Sequence, residues 1–353
     1  MRANGMPPAS IPAASGRLRL GTRRSPLALA QSGAIGRALA ERHPGLEVEL
    51  VTLTTTGDTL PGDLAAAGGK GLFTLELERG LLDGSLDLAV HSLKDLPVEL
   101  PVGLEVVAFP PRADPRDALV SEAAADLDGL AAGAVVLTGS LRRRAQILLR
   151  RPDLRVEPIR GNVDTRLRKW RESGAAAVVL AHAGLARLGL LAGGSLPVHP
   201  LPPEVLLPAP GQGTLALETR AGGRAAELCR VLDDPPSARA ALAERLLVRA
   251  FGGDCTLPLA AWARPEARAG DGRETLRMSA LLATVDGRRA ARGEAEGEDP
   301  AEVAAACAEA LRIDGAGEVL ALLARERRAV GEPSAAPRTA GEAAGPGRED
   351  PGR

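Results

Sequence analysis

Along most of this chain, short apolar runs typical of buried strands alternate with longer stretches in which apolar residues recur at helical spacing. Strands are predicted at residues 17–21, 47–54, 86–90, 134–137, 156–159, 176–181, 214–218, 259–263 and 276–282. Helices are predicted at residues 25–42, 73–82, 141–151, 165–172, 237–249 and 302–312. This alternation implies mostly parallel sheets with helices on both faces, which is the α/β class.

The length and the two ends of the chain suggest several folded units between disordered ends. At 353 residues the chain can hold two or three domains, each with its own core. Residues 1–16 contain Pro and Ala without an apolar signal core, and residues 327–353 are rich in Gly, Pro, Ala and charge. Both segments are therefore predicted to be disordered.

The overall charge argues against two classes of partner. The chain carries 44 Lys and Arg against 45 Asp and Glu, a formal net charge of −1, which does not favour nucleic acid or membrane surfaces. With three Phe, two Trp and no Tyr, it also lacks stacking platforms for single-stranded nucleic acid. No apolar stretch approaches the length of a membrane span. We therefore predict no nucleic-acid and no membrane partner.

The three cysteines differ in their local sequence. Cys229, Cys255 and Cys307 match no zinc-ligand spacing, so no metal is expected, and reduced thiols in a cytoplasmic protein are the simplest interpretation. Cys229 and Cys307 lie in Ala/Leu-rich helical sequence and are predicted to be inert. Cys255 lies in a loop between Gly253 and Pro258, where exposure favours reactivity, so it is a candidate nucleophile.

A polar cluster follows the predicted strand at 86–90. In the segment 90–97, Lys94 and Asp95 stand side by side just before Pro97. Sites in α/β proteins are built at strand ends, and this pair offers a cation for an anionic substrate and a carboxylate for proton transfer. The simpler alternative is a surface ion pair in an ordinary turn.

Arginines recur where a predicted strand passes into a helix. Lysine occurs only at 70, 94 and 169, so arginine supplies the other 41 basic residues, and abundance alone explains any single one of them. It explains less well why they gather at helix starts, where free N–H groups already favour anions. The junction residues are Arg23 and Ser25, Ser140, Arg142 and Arg143, and Arg160 and Arg166. Their ligand is expected to carry several carboxylates or phosphates.

A glycine-rich loop at 57–71 contains Lys70. It lacks the spacing and the Ser or Thr of a nucleotide-binding phosphate loop. A lid whose Lys70 approaches an anion is the better interpretation.

Together these segments resemble the porphobilinogen deaminase family, also called hydroxymethylbilane synthases. The matching motifs follow the family's order from about residue 17 to 326. They lie at 22–29, 68–73, 90–97, 140–143, 160–167, 211–213 and 252–258.

The resemblance implies a transferase of tetrapyrrole biosynthesis. It would join four porphobilinogen molecules head to tail, each losing ammonia, before water releases the linear hydroxymethylbilane. Cys255 would carry a dipyrromethane cofactor through a thioether. Because each pyrrole brings one acetate and one propionate, the resemblance also accounts for the arginines.

The resemblance also assigns roles to residues. Asp95 would be the central carboxylate, which protonates the leaving amine, stabilises a cationic azafulvene intermediate and accepts protons from the attacking ring. Cofactor-binding positions would be Cys255, Lys94, Arg142, Arg143, Ser140, Arg166 and Arg187. Substrate-binding positions would be Arg23, Ser25, Gln31 and Arg160, with Lys70 and Phe73 in the lid region.

Two positions depart from the family pattern. Asp254 is an extra residue before the cysteine, although Cys255 keeps its distance from Pro258. Gly139 stands where many members have Ser, which is expected to remove one hydrogen bond to a ligand carboxylate.

The architecture implied by the resemblance is α/β with three domains. Residues 17–111 with 207–222 would form the first domain and 112–206 the second, both resembling lobes of type II periplasmic binding proteins, with the cleft between them. Residues 236–326 would form a small α/β domain that carries Cys255. Nothing demands more than a monomer.

Two other classes of protein compete with this interpretation. A two-lobed anion-binding protein would explain the fold and the arginines but does not require Asp95 or Cys255. A nucleotide-dependent enzyme would use the glycine-rich loop at 68–71.

Overall fold

The computed structural model describes residues 16–54, 74–192, 194, 196–252, 257–267 and 274–329. The strands are β1 (Gly16–Arg23), β2 (Leu46–Leu53), β3 (Leu88–Ser92), β4 (Leu104–Ala108), β5 (Asp117–Val120), β6 (Val135–Leu137), β7 (Arg155–Glu157), β8 (Ala177–Ala181), β9 (Val198–Pro200), β10 (Leu215–Arg220), β11 (Leu259–Ala267), β12 (Glu274–Ala283) and β13 (Ala290–Gly297). The helices are α1 (Pro26–Arg42), α2 (Leu75–Leu82), α3 (Leu141–Arg150), α4 (Val163–Ser173), α5 (His182–Arg187), α6 (Arg224–Cys229), α7 (Pro235–Ala250), α8 (Pro300–Ile313) and α9 (Ala316–Ala329).

The first sheet joins the beginning of the chain to a strand that returns from much later. Its order is β2-β1-β3-β10-β4. Strands β1, β2 and β3 are parallel, whereas β10 is antiparallel to both β3 and β4. The chain therefore leaves this sheet after β4 and comes back as β10. The segments just before and just after this excursion lie side by side in the sheet.

The second sheet repeats this pattern. Its order is β7-β6-β8-β5-β9, with β6, β7 and β8 parallel and β5 antiparallel to its two neighbours. In each sheet four of the five strands run in the same direction, and the exception, β10 or β5, is the first strand after the chain crosses from the other sheet. The predicted pair of α/β lobes with mostly parallel sheets is confirmed.

The third sheet contains one strand more than was predicted for this region. Strands β11, β12 and β13 form an antiparallel meander, with α7 and α8 packed against it. Strand β13 was not predicted because its sequence, Ala-Ala-Arg-Gly-Glu-Ala-Glu-Gly, has none of the β-branched or aromatic residues that signal strands. The turn before it needs Gly287, whose φ is +72°.

The helix starts predicted at Ser25 and Ser140 are confirmed. Ser25 caps α1 by accepting a hydrogen bond from Ala28 N (3.3 Å), and Pro26 occupies the first helical position. Ser140 caps α3 in the same way through Arg143 N (3.4 Å). These caps fix where each helix begins relative to the strand before it.

The ends of the described chain lie near the predicted boundaries. Strand β1 begins at Gly16 and helix α9 continues to Ala329, three residues past the predicted end of the folded region at 326. The remainder of the predicted disordered ends lies outside the described residues. The domain limits stay predictions.

Candidate active site

Strand β3 ends in a single 3-10 turn, Leu93–Asp95, which carries the predicted catalytic pair. Leu93 and Leu96 are buried on either side of the pair, and Leu93 N donates to Thr214 O (3.0 Å). The turn is thus anchored by its apolar residues, which leaves Lys94 half-buried and Asp95 exposed. Among the described residues, no side chain hydrogen-bonds to the Asp95 carboxylate.

The loop at 211–213 passes directly beside this turn. Gly211 has φ +74°, and a Cβ there would lie 3.0 Å from Lys94 N. Gly213 has φ +89°, and its Cβ would lie 2.4 Å from Ala113 O. Neither position tolerates a side chain without displacement of backbone, which explains the two glycines around Gln212.

Gln212 links the catalytic turn to the second sheet. Its side chain is buried, and its Oε1 accepts from Lys94 Nζ (3.3 Å). Its Nε2 donates to Asp117 Oδ1 (2.8 Å) and Pro115 O (2.7 Å). The amide therefore connects Lys94 on the first sheet to Asp117 at the start of β5.

Asp117 is fully buried and holds two of the predicted cofactor-binding arginines. Arg142 Nη2 lies 2.8 Å from Asp117 Oδ2, and Arg143 Nε donates to Asp117 Oδ1 at 3.0 Å. Burial would raise the pKa of Asp117, but the charges of Arg142 and Arg143, with the Gln212 hydrogen bond, hold that pKa at about 2. Asp117 is therefore a permanent anion at the base of the site.

The two arginines at the start of α3, Arg142 and Arg143, are buried. Arg143 also donates from Nη1 to Val179 O (2.9 Å), and Arg142 from Nη1 to Leu207 O (2.6 Å). The Nε of Arg142 is buried without a hydrogen-bond partner among the described residues. One donor of this guanidinium is thus left for an anion.

Lys94 stands among several cations. Burial lowers the pKa of Lys94 to about 8, the neighbouring Asp95 opposes this shift, and Arg143 adds to it. An anionic ligand would relieve this repulsion and favour the charged lysine.

Arg166 on α4 and Arg160 before it extend the cationic region. Asn162 caps α4 through Thr165 N (2.9 Å). Burial lowers the pKa of Arg166, the charges of Arg143 and Arg160 lower it further, and Asp95 opposes this. The buried Nε of Arg166 has no hydrogen-bond partner among the described residues. Arg160 is exposed.

The remaining predicted residues lie at three further places. Arg187 at the end of α5 donates from Nη2 to Gly213 O (2.7 Å), and burial lowers its pKa. Gln31 on α1 donates to Ser92 Oγ (3.0 Å), two residues before Lys94. Arg23 ends β1 next to the α1 cap. Lys70, Phe73 and Cys255 lie outside the described residues.

The glycine at 139 has a structural reason. A Cβ at Gly139 would lie 2.7 Å from Ile159 O, so a serine would not fit without movement of the backbone that leads to Arg160. The expectation of a simple lost hydrogen bond is therefore incomplete, since glycine here permits close packing of two strand–helix junctions.

Two site residues were missed from the sequence. Gln212 was noted only as part of a motif, and Asp117 was not singled out. The available signal at Asp117 was a carboxylate placed directly before the apolar run Ala118–Leu119–Val120, all three of which are fully buried. An acid that opens a buried strand requires a cationic partner.

The excess of cations fits a polycarboxylate group such as dipyrromethane. Arg142 and Arg143 pair with the buried Asp117, and Lys94 is linked to it through Gln212. Arg187 contacts the adjoining Gly213 O, and Arg166 lies near Arg143. Among the described residues, the buried Nε atoms of Arg142 and Arg166 have no hydrogen-bond partner. Over the described part of the chain, no cluster of three or more His, Cys, Asp or Glu is arranged to hold a metal. Nor is any described helix long and apolar enough to span a membrane.

Fold and site together define a multi-lobed α/β protein with a cationic site for a polycarboxylate. Two family models match the chain: "Porphobilinogen deaminase, dipyromethane cofactor binding domain" over residues 18–227, and "Porphobilinogen deaminase, C-terminal domain" over residues 238–313. The chain belongs to the porphobilinogen deaminase family, which confirms the resemblance seen in its motifs.

Curated relatives support this assignment along most of the chain. Porphobilinogen deaminase from Rubrobacter xylanophilus is 49% identical over 308 residues, covering 87% of this chain and 97% of that protein. The protein of the same name from Acidithiobacillus ferrooxidans is 47% identical over 305 residues, covering 86% and 97%.

Solved structures with similar folds are much more distant. The OxyR2 regulatory domain from Vibrio vulnificus is 18% identical, with a TM-score of 0.37, and covers 65% of this chain and 98% of that one. The methionine-binding protein MetQ is 14% identical, with a TM-score of 0.38, and covers 61% and 89%. At these scores the likeness carries no argument.

Proposed function

We propose that this chain joins four porphobilinogen molecules into hydroxymethylbilane, with release of four ammonia molecules and uptake of one water, and that Asp95 is the catalytic carboxylate. The observation that carries the assignment is the contrast within the site. Asp95 is exposed beside Lys94, whereas Asp117 is buried and neutralised by Arg142 and Arg143.

The dipyrromethane cofactor would be held by Cys255 through a thioether and by the cations around the Asp117–Gln212 network. Lys94, Arg142 and Arg143 belong to that network, and Arg187 contacts the neighbouring Gly213 O. Arg166 and Ser140 at the cap of α3 would add to them. When bound, the group supplies the pyrrole to which the first substrate is joined. The Nε atoms of Arg142 and Arg166 support this role, because over the described part of the chain each is a donor with no partner and could serve a carboxylate.

Asp95 would hold and move the protons of each condensation. The substrate's amine must leave as ammonia and therefore needs a proton, and the attacking pyrrole carbon must lose one. An exposed carboxylate without a side-chain partner among the described residues is able to exchange protons. Lys94 beside it would bind a substrate or cofactor carboxylate and keep that charge away from Asp95.

The incoming porphobilinogen would be bound at the neighbouring strand–helix junctions. Arg23, Ser25 and Gln31 lie at the start of α1 or on it, and Gln31 contacts Ser92. Arg160 stands before α4, and Lys70 and Phe73 would act from the lid. Helix starts support acetate and propionate binding because their N–H groups favour anions.

A cytoplasmic monomer remains the proposed setting. Cys229 and Cys307 are free and buried, and burial raises the pKa of each thiol to about 12. Inert reduced thiols are consistent with a reducing compartment.

The mass of the purified protein tests the proposal directly. Intact mass followed by peptide mapping should show a dipyrromethane on the peptide that contains Cys255. A Cys255 that stays unmodified after incubation with porphobilinogen would refute the enzyme assignment and leave a two-lobed anion-binding protein.

A further inference from the structure

Helix α7 lies directly behind the turn that carries Lys94 and Asp95. Ala241 on this helix is fully buried in one apolar cluster with Leu93 and Leu96, the two residues that bracket the catalytic pair. Residues four apart share a helix face, so Arg245 is presented to the same region as Ala241.

Arg245 makes a specific contact with the segment that follows Asp95. Its Nη2 donates to Pro97 O (3.0 Å) and to Val98 O (2.8 Å). One guanidinium nitrogen thus holds two successive carbonyls, the first only two residues beyond Asp95. Because Pro97 has no N–H of its own, this stretch cannot be held by a ladder of backbone donors.

Holding Arg245 in this contact costs free energy, because its charge is partly removed from water. Burial lowers the pKa of Arg245, which the charge of Glu218 opposes, and its buried Nη1 has no partner among the described residues. Glu218 itself pairs with His91 on β3 (2.8 Å). Arg245 is half-buried, so its stem and one donor are held within the fold instead of lying free in water.

The same helix also holds the loop of Gln212. Glu244 is fully buried and accepts from Gly211 N, from Ala263 N (2.7 Å) and from Arg112 Nη1 (2.7 Å). Two successive residues of α7 therefore fix the two segments that meet at Lys94. Helix α7 ends at Ala250, five residues before Cys255.

We propose that Arg245 is a positioning residue for the reaction: it ties the segment after Asp95 to helix α7 and so sets the place of the Asp95 carboxylate. This inference rests on the proposed function of Asp95. Helix α7 packs behind the turn and holds the Gln212 loop through Glu244, so the carboxylate keeps its place beside Lys94. A misplacement of about 1 Å is enough to cost up to about 100-fold in rate.

The test compares Arg245→Met, Arg245→Lys and the control Arg249→Met in the cofactor-loaded enzyme. Arg249 is exposed one turn further along α7. We expect Arg245→Met to lower kcat by about 10- to 100-fold with KM for porphobilinogen within about twofold, because the binding cations remain. Arg245→Lys should recover part of kcat, and Arg249→Met should match the wild type. Equal losses in kcat for the Lys and Met variants, or a change confined to KM, would refute a positioning role.

Hydrogen exchange gives a second readout, which does not depend on turnover. In Arg245→Met the amides of residues 98–100 should exchange faster, while those in the middle of α7 stay unchanged. Unchanged exchange at 98–100 would overturn the proposal. If Arg245→Met does not fold, kcat and hydrogen exchange are measured on Arg245→Lys. We then expect a smaller loss of kcat than the one given for Arg245→Met.

The result can be separated from a failure of the proposed function. If Asp95→Asn is inactive but Arg245→Met is normal, only the positioning role is wrong. If Asp95→Asn keeps normal turnover, the catalytic assignment itself is wrong.

Discussion

Two aspartates border the same hydrogen-bonded network, and their surroundings differ completely. Asp117 opens β5 with no exposed surface, between Arg142, Arg143 and Gln212. Asp95 ends an exposed turn and has Lys94 as its sequence neighbour. Each carboxylate acts on the pKa of Lys94, so both belong to one site.

The two carboxylates suit different tasks, because one holds a fixed charge and the other is free to transfer protons. Burial alone would raise the pKa of Asp117, yet two guanidinium groups hold it at about 2, which makes its carboxylate a fixed charge at neutral pH. A group that never takes up a proton cannot act as an acid or base. Asp95 has no such pair of arginines among its described contacts, which is why we propose it for the proton chemistry.

The Asp95→Asn substitution tests the contrast between the two aspartates most directly. Because the amide cannot exchange the protons of condensation, we expect kcat to fall by about 100- to 10,000-fold, while the cofactor and substrate still bind. The rate of hydroxymethylbilane formation measures this. Glu99→Gln is the matched control, since Glu99 is exposed four residues further on, and it should keep wild-type turnover. Near-normal activity in Asp95→Asn would transfer the catalytic role elsewhere.

Asp117→Asn should damage the protein in a different way. Loss of the charge leaves two buried guanidinium groups unneutralised, so the free energy of unfolding should fall by about 3–5 kcal/mol and activity by about 100-fold through loss of the arginines' positions. Urea denaturation measures the first effect. Asp114→Asn is the control, because Asp114 is a partly exposed partner of Arg116 (2.7 Å), and it should cost less than about 1 kcal/mol.

Acid gives a further check on Asp117. Since its folded pKa of about 2 lies below its usual 3.8, its contribution to stability is present at neutral pH and is lost as pH falls from about 4 to 2. The difference between wild type and Asp117→Asn should shrink over this range. A difference that stays constant down to pH 2 would contradict the buried ion pairs.

The same contrast shows what the sequence could predict. Ser25, Pro26 and the arginines at helix starts are local signals, so the strand–helix junctions and most of the cationic residues were identified. The contact between Gln212 and Asp117 joins residues 95 apart, which no local pattern reveals. Without it Arg142 and Arg143 were predicted to bind an anionic ligand, and their pairing with Asp117 was not foreseen.

In the third sheet, strands β11 and β12 were predicted from their apolar residues, and only β13 was missed. Strand β13 is rich in Ala, Gly and Glu, so its residues do not favour a strand, and its pairing with β12 determines its conformation.

The Arg142→Leu substitution tests whether the buried cations take part in cofactor attachment. The variant keeps an apolar side chain of similar bulk but loses the pairs with Asp117 and Leu207 O. We expect cofactor attachment to slow by about tenfold, as for a lost charged hydrogen bond, and intact mass of the apoenzyme after timed exposure to porphobilinogen measures it. Arg150→Leu, at the exposed end of the same helix, should attach the cofactor at the wild-type rate. Equal rates in both variants would reduce Arg142 to a structural role.

The smallest effect expected concerns Lys94. Burial lowers its pKa to about 8, so the free enzyme loses this positive charge as pH rises from 7 to 9. Attachment of the cofactor to the apoenzyme should therefore slow relative to Lys94→Arg, which stays charged throughout. Any other group that titrates over this range does so in both proteins, so the ratio of their rates isolates Lys94. We expect this ratio to fall by about threefold to tenfold between pH 7 and 9, because roughly a tenth of Lys94 remains charged at pH 9. A ratio that does not change with pH would show that Lys94 keeps its proton in the free enzyme, in which case Asp95 neutralises it more strongly than its exposed position implies.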